Sequence, residues 1–379
     1  MNDELYFDYN GSTPVDERVL ADALAWMRQG YANASAAHPE GRRAASAIAT
    51  ARERIAAGLS CKAQEIYFTS GGTEANNWAL IASANHACRG HIVTSAIEHK
   101  SVLSTLRELE RQGFSSSVVA PRSDGALRVE DVAAVLREDT LLVSIMATNN
   151  ETGVIQPVAA IGEVCRSRGV RFHVDAVGAL GKIELDLRSM GCDLLSLSSH
   201  KLYSPKGCGV LFVREGTAIG PFIHGCGQQG GMRGGSENTP GAVSFGRAFE
   251  LLREGAFGSA AQIGGLRDQL WNLLRAKFPS AERNGTAPCM PNTLSVFFPG
   301  LLGADLVVAL GERGISVSAG SAGARGETSH VLEAMGLGGA RARSSVRFSL
   351  GAHSTLSGVQ FLVDELQACC ALSQNTASR

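Results

Sequence analysis

The chain is poor in the features that would send it to nucleic acid, membrane or the cell exterior. No run of five basic residues occurs, and 35 Lys plus Arg against 36 Asp plus Glu leave a formal charge of −1. Neither nucleic acid nor an anionic membrane is therefore an expected partner. Eighteen apolar residues never run together, which argues against a membrane span. The first thirty residues hold acidic positions and no apolar core flanked by basic ones, so no export signal is read and a cytoplasmic location is expected. Nine cysteines (Cys61, Cys88, Cys165, Cys192, Cys208, Cys226, Cys289, Cys369 and Cys370) lack Cys-x-x-Cys spacing and are odd in number. That pattern favours reduced thiols over a disulfide framework, and no metal site is expected. There is no internal repeat and no low-complexity tract.

What is present suits a globular protein. The 379 residues are 44% hydrophobic and 19% charged, enough for a substantial core in two lobes. Short β-rich runs at residues 66–69, 92–94, 118–120, 142–145, 172–174, 194–197 and 210–213 alternate with helical periodicity, for instance at 129–136 and 158–165. Alternation at this spacing predicts an α/β fold with a mainly parallel seven-stranded sheet covered on both faces. After residue 258 the pattern changes to a helix at 260–277, a strand at 293–298, a helix at 304–310, strands at 315–318 and 345–350, and a helix at 356–369. That reads as a smaller α+β C-terminal domain. The expected division is a large domain over 15–258 and a small one over 259–379, joined by the N-terminal segment 1–14.

Chemistry gathers at the strand ends. Lys201 follows the apolar run 194–197 and a small polar turn, and Asp175 ends the run 172–174, twenty-six residues earlier. Both then project from the C-terminal edge of one sheet, where open α/β sheets bind ligands. A lysine able to form a Schiff base, with an aspartate able to hold a pyridinium nitrogen, is the minimum equipment of a pyridoxal 5'-phosphate enzyme. Thr69-Ser70-Gly71-Gly72-Thr73-Glu74 leaves a strand and opens a helix, so its backbone N–H groups and the Thr73 hydroxyl suit a phosphate. Taken alone, Gly-Gly-Thr marks only a turn. His99, past another strand end, can stack over a ring and exchange protons. Asn150 ends a further strand, and its amide can hydrogen-bond a phenolate or a carboxylate. Arg347 lies in a strand of the small domain, where a guanidinium fork can hold an amino-acid carboxylate. The glycine-dense segment 225–235 is expected as a loop whose backbone approaches a ligand closely.

Several further motifs stand in order along the chain: Tyr6-Phe7-Asp8-Tyr9-Asn10-Gly11-Ser12-Thr13-Pro14, His38-x-x-Gly41-Arg42, Ser329-His330-Val331-Leu332-Glu333-Ala334-Met335-Gly336 and Arg347-Phe348-Ser349-Leu350-Gly351. On these residues the chain resembles the cysteine desulfurase type of the class V aminotransferase family, fold-type I pyridoxal phosphate enzymes, over nearly its whole length. The resemblance implies Lys201 as the Schiff-base lysine, Asp175 as the partner of the pyridine nitrogen and His99 over the ring. It implies Gly72, Thr73, Ser198 and His200 around the phosphate, and Asn150 and Arg347 on the substrate carboxylate. Ser236 stands where the family has a threonine that reaches the phosphate of a neighbouring subunit, which implies a homodimer.

Two departures bear on the reaction. The family's mobile loop reads Ser-x-Gly-Ser-Ala-Cys, and its cysteine takes sulfur from the substrate as a persulfide. Here the stretch is Ser318-Ala319-Gly320-Ser321-Ala322-Gly323, about two residues shorter before Ser329, and Gly323 offers no nucleophile. Gly178 stands where the family usually places a glutamine that hydrogen-bonds the cofactor's phenolic oxygen, a role left to water or Asn150. Four readings stay open. One is β-elimination from cysteine, selenocysteine or a related β-substituted amino acid; a second is true desulfuration by a relocated thiol, for which Cys226 in the glycine-dense segment is the candidate nucleophile. The third is β-decarboxylation, racemisation or transamination, and the fourth is a non-catalytic partner protein. Whether a sulfur-acceptor protein docks is left open.

Overall fold

The computed structural model describes residues 3–85, 89–320 and 328–377. Its centre is a seven-stranded sheet built from β1 (Ile66–Thr69), β2 (His91–Ser95), β3 (Ser115–Val119), β4 (Thr140–Met146), β5 (Arg171–Asp175), β6 (Leu194–Ser198) and β7 (Gly209–Val213). The spatial order is β1-β7-β6-β5-β4-β2-β3. Neighbours from β6 through β3 run parallel, and β7 runs antiparallel to both β6 and β1. Strands β2, β6 and β7 are buried at every position, as a sheet covered on both faces requires. This is the mainly parallel sheet that the alternating pattern predicts.

A second sheet holds β8 (Glu282–Arg283), β9 (Thr293–Phe297) and β10 (Ser345–Ser349) in the order β10-β9-β8, all antiparallel. Its core gathers Leu294, Val296, Val346 and Phe348 with Leu270 and Leu274 of the helix Ala260–Lys277 and Leu362 and Leu366 of the helix Leu356–Ala377. The helix Ala260–Lys277 starts where Ser259 and Gln262 form a reciprocal capping box. Two separate sheets with separate cores support the division at 258/259 that we propose for the chain. Residues 315–318, expected as a strand, form only isolated bridges, Ser316 with Tyr6 and Ser318 with Arg347. They pair on one side with the N-terminal segment, which is itself a single extended thread, so no ladder can propagate.

That thread joins the two cores. Phe7 is buried in the small-domain core and Tyr9 in the large one, while Asp8 bridges to Ser349, the last residue of β10.

The helices expected at 129–136, 158–165 and 304–310 are observed as Val129–Ala134, Val158–Ser167 and Gly303–Gly311. Helices Glu17–Gln29, Pro39–Leu59, Lys100–Arg111 and Thr239–Arg253 were not signalled by the strand pattern. Helix Pro39–Leu59 begins with proline in its first turn and with His38 Nδ1 accepting from Gly41 N–H, so the His38-x-x-Gly41 motif is an N-cap.

Candidate active site

The parallel strands β5 and β6 deliver Asp175 and Lys201 to one cavity of about 450 Å³ at their C-terminal edge. Gly72, Thr73, His99, Asn150, Ser198, His200 and Arg347 line the same cavity. Ser236 and Cys226 do not; both are exposed on the glycine-dense segment or just beyond it. Among the described residues no cysteine lines the cavity. Gly323 lies outside the described residues, as does Cys88.

Lys201 ends a short 3-10 turn that continues β6. Its Nζ donates to the carbonyl of Asn10 and, at 2.8 Å, to that of Gly11. Burial, reinforced by the Arg347 guanidinium, pulls its pKa down to about 8, which makes an amine that loses its proton near neutral pH.

Asp175 is fixed on both oxygens. Oδ1 accepts from Val177 N–H at 3.0 Å and Oδ2 from Asn76 Nδ2 at 2.7 Å. Two residues earlier on the same strand face, His173 spans Ser144 of β4 (2.8 Å) and Ser196 of β6 (2.9 Å), buried and held neutral with a pKa near 4 by desolvation.

Asn76 also donates to Ser101 Oγ (2.9 Å), which lies 2.8 Å from His99 Nδ1. His99 caps the helix Lys100–Arg111, and Nδ1 accepts from Ser101 N–H at 3.1 Å. A backbone N–H can only donate, so Nδ1 carries no proton and the ring's hydrogen is on Nε2. One hydrogen-bonded chain, Asp175–Asn76–Ser101–His99, thus fixes both the carboxylate and the imidazole tautomer.

Beside this chain, Glu98 is wholly buried. Its Oε1 accepts from Ser95 Oγ and Met146 N–H, and Oε2 has no partner. Burial, aided by the charge of Asp175, raises its pKa from the ordinary 4.5 to about 8. The native state therefore holds this proton between about pH 4.5 and 8 while the unfolded chain has released it, so Glu98 erodes stability as pH rises through that window. Glu98→Gln, which mimics the protonated acid, is expected to leave Tm close to native at pH 5 and to raise it progressively above native towards pH 8. Thermal melts across that range check this, and a pH-independent difference would contradict it.

The end opposite Asn150 suits a phosphate. Gly72 opens the thirteen-residue helix Gly72–Ala84, and a Cβ at Gly72 would lie 2.6 Å from Val177 Cγ2. Gly71 has φ +155° and ψ −178°, a region open in practice to glycine alone. The bare backbone at this helix start, facing Ser198 and a His200 held neutral at a pKa near 4 by burial, is an anion cradle. Arg233 clamps Glu74 at 2.9 and 3.1 Å and so ties the glycine-dense segment to the helix start. Within that segment a Cβ at Gly225 would lie 2.8 Å from Gly234 Cα, and among the described residues none of 225–235 lines the cavity of its own subunit.

Arg347, 5% exposed, donates Nη1–H to the Asn150 carbonyl at 2.9 Å and pairs through Nη2 with Asp8. Its Nε–H is buried without a partner, the open half of a fork that fits a carboxylate. Asp8, Asn10, Asn76, Glu98 and Thr148 were not singled out in the sequence, although Asp8 and Asn10 stand in the 6–14 motif. Pyridoxal phosphate fits this wall on the structure's own terms: an amine of lowered pKa, a fixed carboxylate, a cradle closed to a Cβ, and the unpartnered buried atoms Arg347 Nε, Asn76 Oδ1 and Thr148 Oγ1.

Comparison with known proteins agrees with this geometry. The profile of the family described as aminotransferase class-V matches residues 5–362. Cysteine desulfurase IscS of Clostridium botulinum is 38% identical over 373 residues, 97% of this chain and 94% of that protein. Cysteine desulfurase IscS of Proteus mirabilis is 40% identical over 372 residues, 96% and 92% of the two chains. A solved NifS-like protein superimposes with a TM-score of 0.90 at 37% identity, covering 97% of this chain and all of its own. SspA, solved in complex with cysteine, gives a TM-score of 0.82 at 38% identity, over 92% and 99%.

Proposed function

The chain belongs to the class V aminotransferase family, and on that premise we propose that it is a cysteine desulfurase-like lyase that releases the β-substituent of cysteine, selenocysteine or a relative by β-elimination. The family places it among fold-type I pyridoxal phosphate enzymes with cysteine desulfurase homologues. One observation carries the finer reading. Residues 318–329 contain no cysteine, and no described cysteine lines the cavity, so among the described residues no thiol of this subunit stands at the cavity to take sulfur.

The bound cofactor supplies an electron sink for negative charge at Cα. The chain's residues do the rest. Arg347 holds the substrate carboxylate through its open Nε–H and the adjoining Nη2. Lys201, with its lowered pKa, takes the α-proton. His99, whose hydrogen is on Nε2, presents a donor to the departing β-substituent. Asp175 holds the ring nitrogen, and Gly72, Thr73, Ser198 and His200 hold the phosphate. The β-substituent leaves with its electron pair, and the released aminoacrylate hydrolyses to pyruvate and ammonia.

The same reading places the enzyme in the cytoplasm as a homodimer, with Ser236 contributed to the neighbour's phosphate site. Its exposure and its absence from its own cavity support that placement.

Incubation with cysteine, selenocysteine and cysteine sulfinate, followed by assay of pyruvate against alanine, tests the reaction. Pyruvate formed independently of thiol alkylation supports elimination. Alanine with a protein persulfide that disappears in Cys226→Ala would replace this reading with desulfuration by a relocated thiol. Arg347→Lys is expected to raise KM for the amino acid by roughly 10- to 100-fold, the scale of a lost charged hydrogen bond, and steady-state kinetics check it.

A further inference from the structure

Thr148, two residues past the end of β4, carries a hydroxyl that the fold leaves without a hydrogen-bond partner. It is 2% exposed, lines the cavity, and its Oγ1 is buried without a hydrogen-bond partner. A buried hydroxyl left unmade costs free energy, and such orphans gather where a ligand completes them. Gly178 faces it: a Cβ at 178 would lie 3.0 Å from Thr148 Oγ1 and 3.3 Å from the Thr148 carbonyl oxygen. A side chain at 178 and a hydroxyl at 148 therefore contend for one space. This chain fills it from 148.

The order of strands says which part of the cofactor meets that hydroxyl. Asp175 ends β5, the phosphate cradle follows β1 and faces the end of β6, and Thr148 follows β4 on the other side of β5. On pyridoxal phosphate the phosphate arm and the phenolic oxygen flank the carbon that bonds the lysine, one on each side. With the arm towards β6 and β1, the phenolic oxygen is turned towards β4.

We propose that Thr148 Oγ1–H is the hydrogen-bond donor to the phenolic oxygen of pyridoxal phosphate in this chain, taking the place left open by Gly178. A donor there stabilises charge on the oxygen and weakens its hold on the proton of the Lys201–cofactor linkage. The hydroxyl thus lowers the pKa of that linkage. The inference rests on the cofactor and is independent of which β-substituent leaves.

The test is a pH titration of the visible absorbance of the purified holoenzyme without substrate, so turnover does not enter it. Thr148→Val, which keeps volume and removes the donor, is expected to raise the midpoint by roughly one pH unit, the scale of one charge-assisted hydrogen bond. Thr148→Ser is expected to keep the native midpoint. The double variant Thr148→Ala with Gly178→Gln, which moves the donor across the gap, is expected to return the midpoint towards native from that of Thr148→Ala alone. An unchanged midpoint in Thr148→Val, or a shift in Thr148→Ser as large as in Thr148→Ala, would overturn the proposal. Should the valine variant fail to retain cofactor, the serine, alanine and double variants decide by the same comparison. A failed substrate panel with these shifts intact would count against the lyase reading alone.

Discussion

Lys201→Ala is expected to abolish turnover, by ~10^4-fold or more given what a positioned acid–base group contributes, and to remove the visible band of the bound cofactor. Both losses follow from one atom. In the proposed mechanism Nζ is both the covalent point of attachment and the proton carrier at Cα, and its pKa near 8 is set by burial and the Arg347 charge. The fold should survive, because the side chain contributes only hydrogen bonds to the carbonyls of Asn10 and Gly11. A nearby amine exists in Lys182, with a pKa pulled down to about 7 by burial. It cannot substitute: its Nζ is bonded to the carbonyls of Leu180 (3.1 Å) and Lys201 (3.2 Å) and lines a separate small cavity behind the turn. Absorbance spectra of the dialysed variant, taken with product assays, check the prediction. A persistent cofactor band insensitive to the loss of Lys201 would sink the assignment.

Asp175→Asn is expected to lower kcat by on the order of 10^2- to 10^3-fold, the range associated with removing one member of a buried charge pair. The substitution keeps shape and retains an oxygen for Val177 N–H. It removes the charge proposed to hold a proton on the ring nitrogen, and it sets an amide against the Asn76 amide at the site of the present 2.7 Å contact. The effect should fall on kcat more than on KM, since the residue proposed to hold the substrate carboxylate is Arg347 and not Asp175. Steady-state kinetics of the fully loaded variant separate the two, and an unchanged kcat would show that the ring nitrogen meets a different group.

The sequence made the large sheet and the common edge of Lys201 and Asp175 legible because both are local signals: a short apolar run, then a polar turn, repeated along the chain. Lys201 and Asp175 could be placed at one edge because consecutive parallel strands share that edge. What stayed hidden depends on contacts across long stretches of chain. Thr148 gains meaning only from the bare backbone of Gly178 on the neighbouring strand's turn, and Glu98 only from the complete burial of a carboxyl beside Asp175. The expected strand at 315–318 failed for a related reason. Its residues have the apolar alternation of a strand, but the partners that would complete a ladder are one N-terminal thread and the end of β10. In the glycine-dense segment, expected as a loop that approaches a ligand, the close backbone approach within the subunit is between Gly225 and Gly234, a pairing nine positions apart that no local pattern signals.

The ion pair between Asp8 and Arg347 spans 339 positions, which has a meaning in biosynthetic time. At bacterial or eukaryotic elongation rates roughly 20–70 s separate the two residues on the ribosome. Within that interval, once β7 (Gly209–Val213) has emerged, the large sheet can fold, but the Asp8–Arg347 pair and the completed cavity cannot yet exist. The last strand to emerge, β10, completes the cavity wall with Arg347, so a nascent chain stalled before β10 would be folded in its larger part and would lack the proposed site.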